Sequence, residues 1–265
     1  MEDRRLIVEV LSAAAVADRL RALDVTGLAM VADSTSPGPA ALVVSGLEDP
    51  RADVVVNSST QADALWTERI EPFARRFAGI DPPPRTPPVL EEHDPRLPVL
   101  ARRLLDRLRD ALGKRSRTYD HIGSTAVPGL RAKRFIDLQL GVPLLPDPDD
   151  EYTLAALGFR AETGARPDSP GVTHDWHTDP EVPEALYRKR LYVRHDPEAP
   201  AILHVRQLGN PWHRRTIDFR DRLRADPAVR EAYETAKLRA AEAHAGDDDY
   251  DDYTRAKSEF FRSTG

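Results

Sequence analysis

An α/β chain built in two units is what this sequence predicts, and three observations carry that expectation. The chain has 265 residues, 40% hydrophobic and 31% charged, which at roughly 100 to 200 residues per domain leaves room for one large domain or two modest ones. Short apolar runs of strand type alternate along it with amphipathic helical patterns. Finally, Asp81-Pro-Pro-Pro-Arg-Thr-Pro-Pro88 holds five prolines in eight residues, which excludes helix and central strand alike and reads as a linker. The expected division is residues 1–80, linker 81–88, and residues 89–265.

Composition narrows the partners. Lys and Arg number 38 against 44 Asp and Glu, a formal charge of −6, whereas a duplex binder usually carries a net basic domain or face, so nucleic acid is disfavoured. The absence of cysteine removes disulfides, thiol nucleophiles and Cys-ligated zinc, and leaves His and carboxylates as metal ligands. No run approaches the 18 or so apolar residues of a membrane span, and the start MEDRRLIVEV lacks the basic-then-apolar order of a secretory signal. A cytoplasmic location is the default expectation, with no membrane partner.

In the first unit, the apolar periodicity from Leu6 to Leu23 predicts a helix, Ala40–Val44 and Val54–Val56 predict short buried strands, and Gln61–Phe77 an amphipathic helix. In the second, Pro98–Leu112 reads as a helix with one leucine face, closed by Gly113. Thr118–Ile122 and Phe135–Val142 read as strands, with a turn and a short helical segment after Gly123. A short helix over Tyr152–Leu157 follows, then strands over Arg188–Arg194 and Ala201–Gln207. Trp212–Ala245 is helical with Pro227 interrupting it, and after an acidic stretch at Asp247–Asp252 a last helix runs from Tyr253 to Phe261.

The most informative stretch is Tyr119-Asp-His-Ile-Gly-Ser-Thr-Ala-Val-Pro-Gly-Leu130 with Phe135-Ile-Asp-Leu-Gln-Leu-Gly-Val142. It resembles the GrpB family, and the resemblance continues through His93-Asp-Pro-Arg96, Lys189-Arg-Leu-Tyr192, Leu203-His-Val205, Phe219-Arg-Asp-Arg-Leu-Arg224 and Tyr253-Thr-Arg-Ala-Lys257. It implies a nucleotidyltransferase-like mixed sheet flanked by helices over about residues 89–263. The family's own chemistry is poorly defined, so the resemblance speaks to membership more than to activity.

The residues of that core have a chemistry of their own. A strand running into Gly123-Ser124-Thr125 lets backbone N–H groups and two hydroxyls approach a phosphate; the plain alternative is a turn with a capping hydroxyl. Asp137 on the next strand is a candidate Mg²⁺ ligand, its alternative being a hydrogen-bonded strand carboxylate. Nucleotidyl transfer uses two carboxylates at i and i+2 to hold two metals; here the second position is Gln139, an amide that binds a metal weakly. His204 is the candidate acid or base, although Ile202 stands where the family usually has another His. Lys189 and Arg190 match a basic family pair suited to phosphate, and Arg206 alternates with His204 and shares its face. His121 is expected to pack, Lys257 to lie on a helix surface, and His174-Asp-Trp-His177 to be a surface loop with no metal. The implied ligand is ATP, another nucleotide or a phosphorylated small molecule, with transfer of a nucleotidyl or phosphoryl group, or ATP-driven ligation, as the reaction.

Arg51-Ala-Asp-Val-Val-Val-Asn-Ser-Ser-Thr60 and Ala64-Leu-Trp-Thr-Glu-Arg-Ile-Glu-Pro-Phe73 resemble the end of actinobacterial-type dephospho-CoA kinases, which often carry a GrpB-like domain. A kinase needs a G-x-x-x-x-G-K-[ST] loop to cradle phosphates, and the chain has none. Kinase activity is therefore not expected. The competing expectation is a non-catalytic scaffold or folding-assistance domain.

Overall fold

The computed structural model describes residues 5–34, 38–82, 88–113, 116–145, 148–164, 168–247 and 249–263. Most of the proline-rich segment read as a linker lies outside them.

The first sheet is fully parallel, in the order β2 (Ala29–Asp33), β1 (Leu6–Leu11), β3 (Leu42–Ser45), β4 (Val54–Val55). Helix α1 (Ala14–Leu23) is followed by α2 (Ser59–Leu65), a π turn over Trp66–Ile70, and α3 (Glu71–Phe77). The single helix expected over residues 6–23 is corrected: it is a strand and then a helix, with Ser12 at φ 53° between them. Leu6, Val8 and Val10 enter one core while Ile7 and Leu11 pack into another cluster. A strand covered on both faces reads as an unbroken apolar run, which periodicity cannot separate from a helix. Edge strand β2 was not foreseen.

The second sheet is mixed, in the order β5 (Thr118–Ile122), β6 (Ile136–Val142), β9 (Ala201–Gln207), β8 (Lys189–Arg194), β7 (Arg160–Ala161); β6 and β9 are parallel and the other pairs antiparallel. Its two faces differ because side chains alternate along each strand. Ile136, Leu138, Leu140, Leu203, Val205 and Tyr192 turn to one side and form a core with the leucines of α4 (Arg96–Leu112) and α5 (Pro148–Ala156). Asp137 and Gln139, His204 and Arg206, and Lys189 turn to the other, in register across three strands.

That polar face is roofed by α6 (Pro211–Ala225), α7 (Pro227–Ala243) and α8 (Asp251–Ser263). Pro227 does interrupt the helical run, by starting a new helix: Asp226 accepts from the N–H groups of Ala228 and Val229 and Pro227 takes the first helical position, where its missing N–H costs nothing. No helix among the described residues is long and apolar enough to cross a membrane.

The two sheets are joined by buried charge. The Arg69 guanidinium donates to both oxygens of Asp196, at 2.9 and 2.8 Å. Arg194, fully buried, donates to Asp196 at 2.6 Å and to the Ala41 carbonyl at 2.6 Å. Arg107 pairs with Asp53. Beside this network a Cβ on Gly158 would come within 2.7 Å of the Phe73 ring, so the glycine is what lets α3 sit against the second unit.

Candidate functional site

Between the polar face of the mixed sheet and the three roofing helices lies a cavity of about 610 Å³, lined by residues of both. Helical spacing supplies the roof: Trp212, Thr216 and Phe219 on α6, Tyr233 and Lys237 on α7, and Tyr253, Lys257 and Phe261 on α8 all face it, each set recurring at three or four residues.

Asp137 is at the floor. Gly123, at φ 71°, crosses directly over it, and a Cβ there would lie 2.8 Å from the Asp137 Cγ. Only glycine satisfies both the left-handed backbone and the contact. Burial opposes ionisation of Asp137, but His204, Lys257 and Lys133 outweigh it and hold its carboxyl below the usual range.

Three lysines line the same cavity and act electrostatically with that carboxylate. Lys237 donates to the Ser124 hydroxyl at 2.9 Å and to the Arg131 carbonyl. Lys133 lies 3.6 Å above the centre of the Tyr250 ring, and Lys257 5.5 Å from that of Tyr253. Neither of these two has a hydrogen bond or ion pair among the described residues; their ammonium groups meet tyrosine faces and the cavity. Burial, then the charge of Lys257, pushes both Lys133 and Lys237 down to about 7. Lys257 is also lowered by burial, with Asp137 opposing.

A second cluster stands on β8 and β9. Arg206 grips Asp175 with two bonds, at 2.7 and 2.9 Å, and donates to the Gln139 oxygen at 2.6 Å. The Lys189 ammonium lies 3.2 Å from Asp175 and 3.1 Å from the His204 Nδ1. The His204 Nε2 is 3.8 Å from Asp137. Burial and then the Lys189 charge push the imidazole down to about 4 against the pull of Asp137.

The residues singled out in the sequence therefore meet with different success. Gly123, Ser124, Thr125, Asp137, Lys189, His204 and Arg206 all line the cavity. Thr125 is buried, bonded at 3.0 Å to the ring of His121. The Arg206 charge, expected to serve a phosphate, is committed to Asp175. Arg190 is corrected: it follows Lys189 on the same strand, so it turns to the opposite face, where it lines a small surface pocket with Tyr192. Gln139 is corrected as a metal ligand. Its oxygen accepts from Arg206 and Thr216, which takes both of its lone pairs, and its amide donates to the His213 carbonyl at 3.0 Å, so the oxygen a metal would need is already used inside the wall. Lys257, expected on a helix surface, faces the cavity.

Three contributors were missed. Asp175, inside the stretch read as a surface loop, turns into the site while His174 and His177 stay exposed. Lys133 and Lys237 sit in no motif. The i, i+4, i+8 spacing of Tyr253, Lys257 and Phe261 was the one available signal.

The Mg²⁺ that the resemblance implied finds a poor donor set here. The Gln139 oxygen is spent, the His204 Nδ1 is taken by Lys189, cavity lysines already act on the Asp137 charge, and the described residues hold no cluster of three His, Asp or Glu able to bind a metal. These residues do not fit a metal held by the protein alone.

A family model described as GrpB protein matches residues 87–264. The chain belongs to the GrpB family. It is 30% identical over 165 residues to the glutamate-rich protein GrpB of Alkalihalophilus pseudofirmus, covering 60% of this chain and 85% of that protein. It is 38% identical over 213 residues to a dephospho-CoA kinase of Mycolicibacterium paratuberculosis, covering 76% of this chain and 51% of the kinase. The chain thus spans about half the length of the kinases it matches. A crystal structure of the conserved protein GrpB from Enterococcus faecalis aligns over 66% of this GrpB-family chain and 98% of the other, with 24% identity and a TM-score of 0.47.

Proposed function

We propose that the cavity binds a phosphorylated small molecule, ATP or another nucleotide among them, and that any reaction there transfers a nucleotidyl or phosphoryl group or drives a ligation. The observation that carries this reading is that Lys133, Lys237 and Lys257 line the same cavity as Asp137, and that among the described residues Lys133 and Lys257 have no hydrogen-bond acceptor. Lys133 and Lys257 are half-buried at the cavity wall, where a cation short of water and of an acceptor is costly, and a ligand bearing several anionic oxygens would satisfy them. The lysines would supply the positive charge that metal ions supply at two-metal sites. A divalent ion would come with the ligand's phosphates. A cytoplasmic setting, where such ligands are held, goes with this reading.

The test is a thermal-shift screen of the intact chain against ATP, GTP, CTP, UTP, CoA and pyrophosphate, each with and without Mg²⁺, since a ligand that binds only the native state raises its stability. A shift of several degrees that disappears in Lys257→Met supports the reading, and no shift at millimolar ligand overturns it.

A second reading has its own observation. The buried Arg69–Asp196–Arg194 network fixes the parallel-sheet unit to the GrpB region, as a non-catalytic, folding-assisting scaffold would require. No phosphate-binding loop of the kinase type occurs in the chain, and kinase activity is not proposed.

A further inference from the structure

Lysine carries only donors on its ammonium, so the nitrogen it meets must accept. The Lys189 Nζ lies 3.1 Å from the His204 Nδ1, within hydrogen-bond distance. The opposite ring nitrogen then carries the proton, and it points toward Asp137 across 3.8 Å, too far for a hydrogen bond. His204 and Asp137 both line the cavity, so a ligand oxygen entering beside them meets an Nε2–H that no acceptor among the described residues holds within hydrogen-bond distance.

The neighbours keep this arrangement in place. Asp175 lies 3.2 Å from the Lys189 ammonium, and Arg206 holds Asp175 from the other side with two bonds. Asn210 donates to the same carboxylate at 3.2 Å. Lys189 is 4% exposed and Arg206 3%, so neither side chain has room to turn away.

We propose that Lys189 is a positioning residue that fixes His204 as its neutral Nε2–H tautomer, so that His204 serves the cavity as a hydrogen-bond donor to a ligand oxygen and is closed as a base. With Nδ1 occupied and Nε2 already protonated, the neutral ring has no lone pair left to take a proton. A neutral imidazole donor is suited to an oxygen that gains negative charge, such as a phosphoryl oxygen. The role of general acid or base expected for His204 becomes one of oxygen stabilisation. The ligand clause rests on the function proposed above; the tautomer does not.

The experiment is a long-range ¹H–¹⁵N correlation spectrum of the ¹⁵N-histidine-labelled intact protein at pH 7 without ligand, with His204→Gln used to assign the resonance. The expected result is a pyridine-type Nδ1 and a pyrrole-type Nε2. A His204 signal from the Nδ1–H tautomer, or from imidazolium, overturns the proposal. In Lys189→Met the ratio of the two tautomers should move toward Nδ1–H by about tenfold or more, the worth of roughly one hydrogen bond to a charged donor, and Lys189→Arg should restore it. An unchanged ratio in Lys189→Met removes the positioning role. If Lys189→Met does not fold, the wild-type and Lys189→Arg spectra decide: both must show the Nε2–H tautomer. Because no ligand is present, a failure here is distinct from a failure of the binding screen.

Discussion

Arg69 and Asp196, 127 positions apart in the chain, form a two-bond ion pair with almost no access to solvent. Asp196 also receives Arg194 and the Glu198 N–H, so its carboxylate is fully used. Breaking a buried pair by removing one partner is costly because the other charge stays behind unpaired. Asp196→Asn should therefore lower stability by about 3 to 5 kcal/mol in chemical denaturation. The acid side gives a second check. Burial opposes ionisation of Asp196, but Arg194 and Arg69 hold its carboxyl far below the ordinary value. Its contribution is complete above the unfolded value of about 4 and is lost as pH falls from there toward the folded value. The variant should lack that part of the acid-side loss.

The lysines around Asp137 predict opposite pH trends for the empty and the occupied protein. Lys133 and Lys237 titrate at about 7 in the fold, against about 10.4 when unfolded. Between those values the unfolded chain binds more protons, so the stability of the empty protein gains from these groups as pH rises. An anionic ligand needs them charged, so its affinity should fall over the same range. Melting curves at pH 6.5 to 9.5, with and without pyrophosphate, check both slopes together; parallel slopes would refute the idea that these groups bind the ligand.

Gly123→Ala should damage the site more than the fold. With φ 71° and ψ −170° Gly123 lies in a region essentially reserved for glycine, which costs a side chain about 1 to 3 kcal/mol, and the new Cβ would press on the Asp137 carboxylate. The expected outcome is a folded protein, less stable by about that amount, with its thermal shift from ligand lost.

Gln139→Glu restores the second carboxylate that a two-metal site would use, yet it should not create one. The residue is 0% exposed, and its amide donates to the His213 carbonyl, a bond that a carboxylate cannot make. The variant should lose about 1 to 3 kcal/mol and show no gain in Mg²⁺ affinity by calorimetry. A new Mg²⁺ site would contradict the wall position assigned to Gln139.

The alternation of Asp137, Gln139, His204 and Arg206 with buried aliphatics was legible in the sequence and placed the polar face correctly, because side chains along a strand must alternate. The same rule, applied to Lys189 and Arg190, separates them, and reading them as a pair ignored it. The Leu6–Leu11 strand was not legible, since a strand buried on both faces has no period to show. Lys133, Lys237 and Asp175 were not legible either: each is ordinary in its local segment and acquires its role from residues far along the chain.

What the sequence by itself determined was family membership, the mixed sheet that this resemblance implied, and, by local alternation along each strand, that Asp137 shares a side with Gln139 and His204 with Arg206. What only the tertiary structure decided was which charges are spent and which are open. Arg206 is neutralised by Asp175 and the Gln139 oxygen is used up in the wall, while Lys133 and Lys257 face the cavity with no hydrogen bond or ion pair among the described residues. The reason is physical: the value of a charge depends on its burial and its partners, and those are set by residues that the fold, not the chain order, brings together.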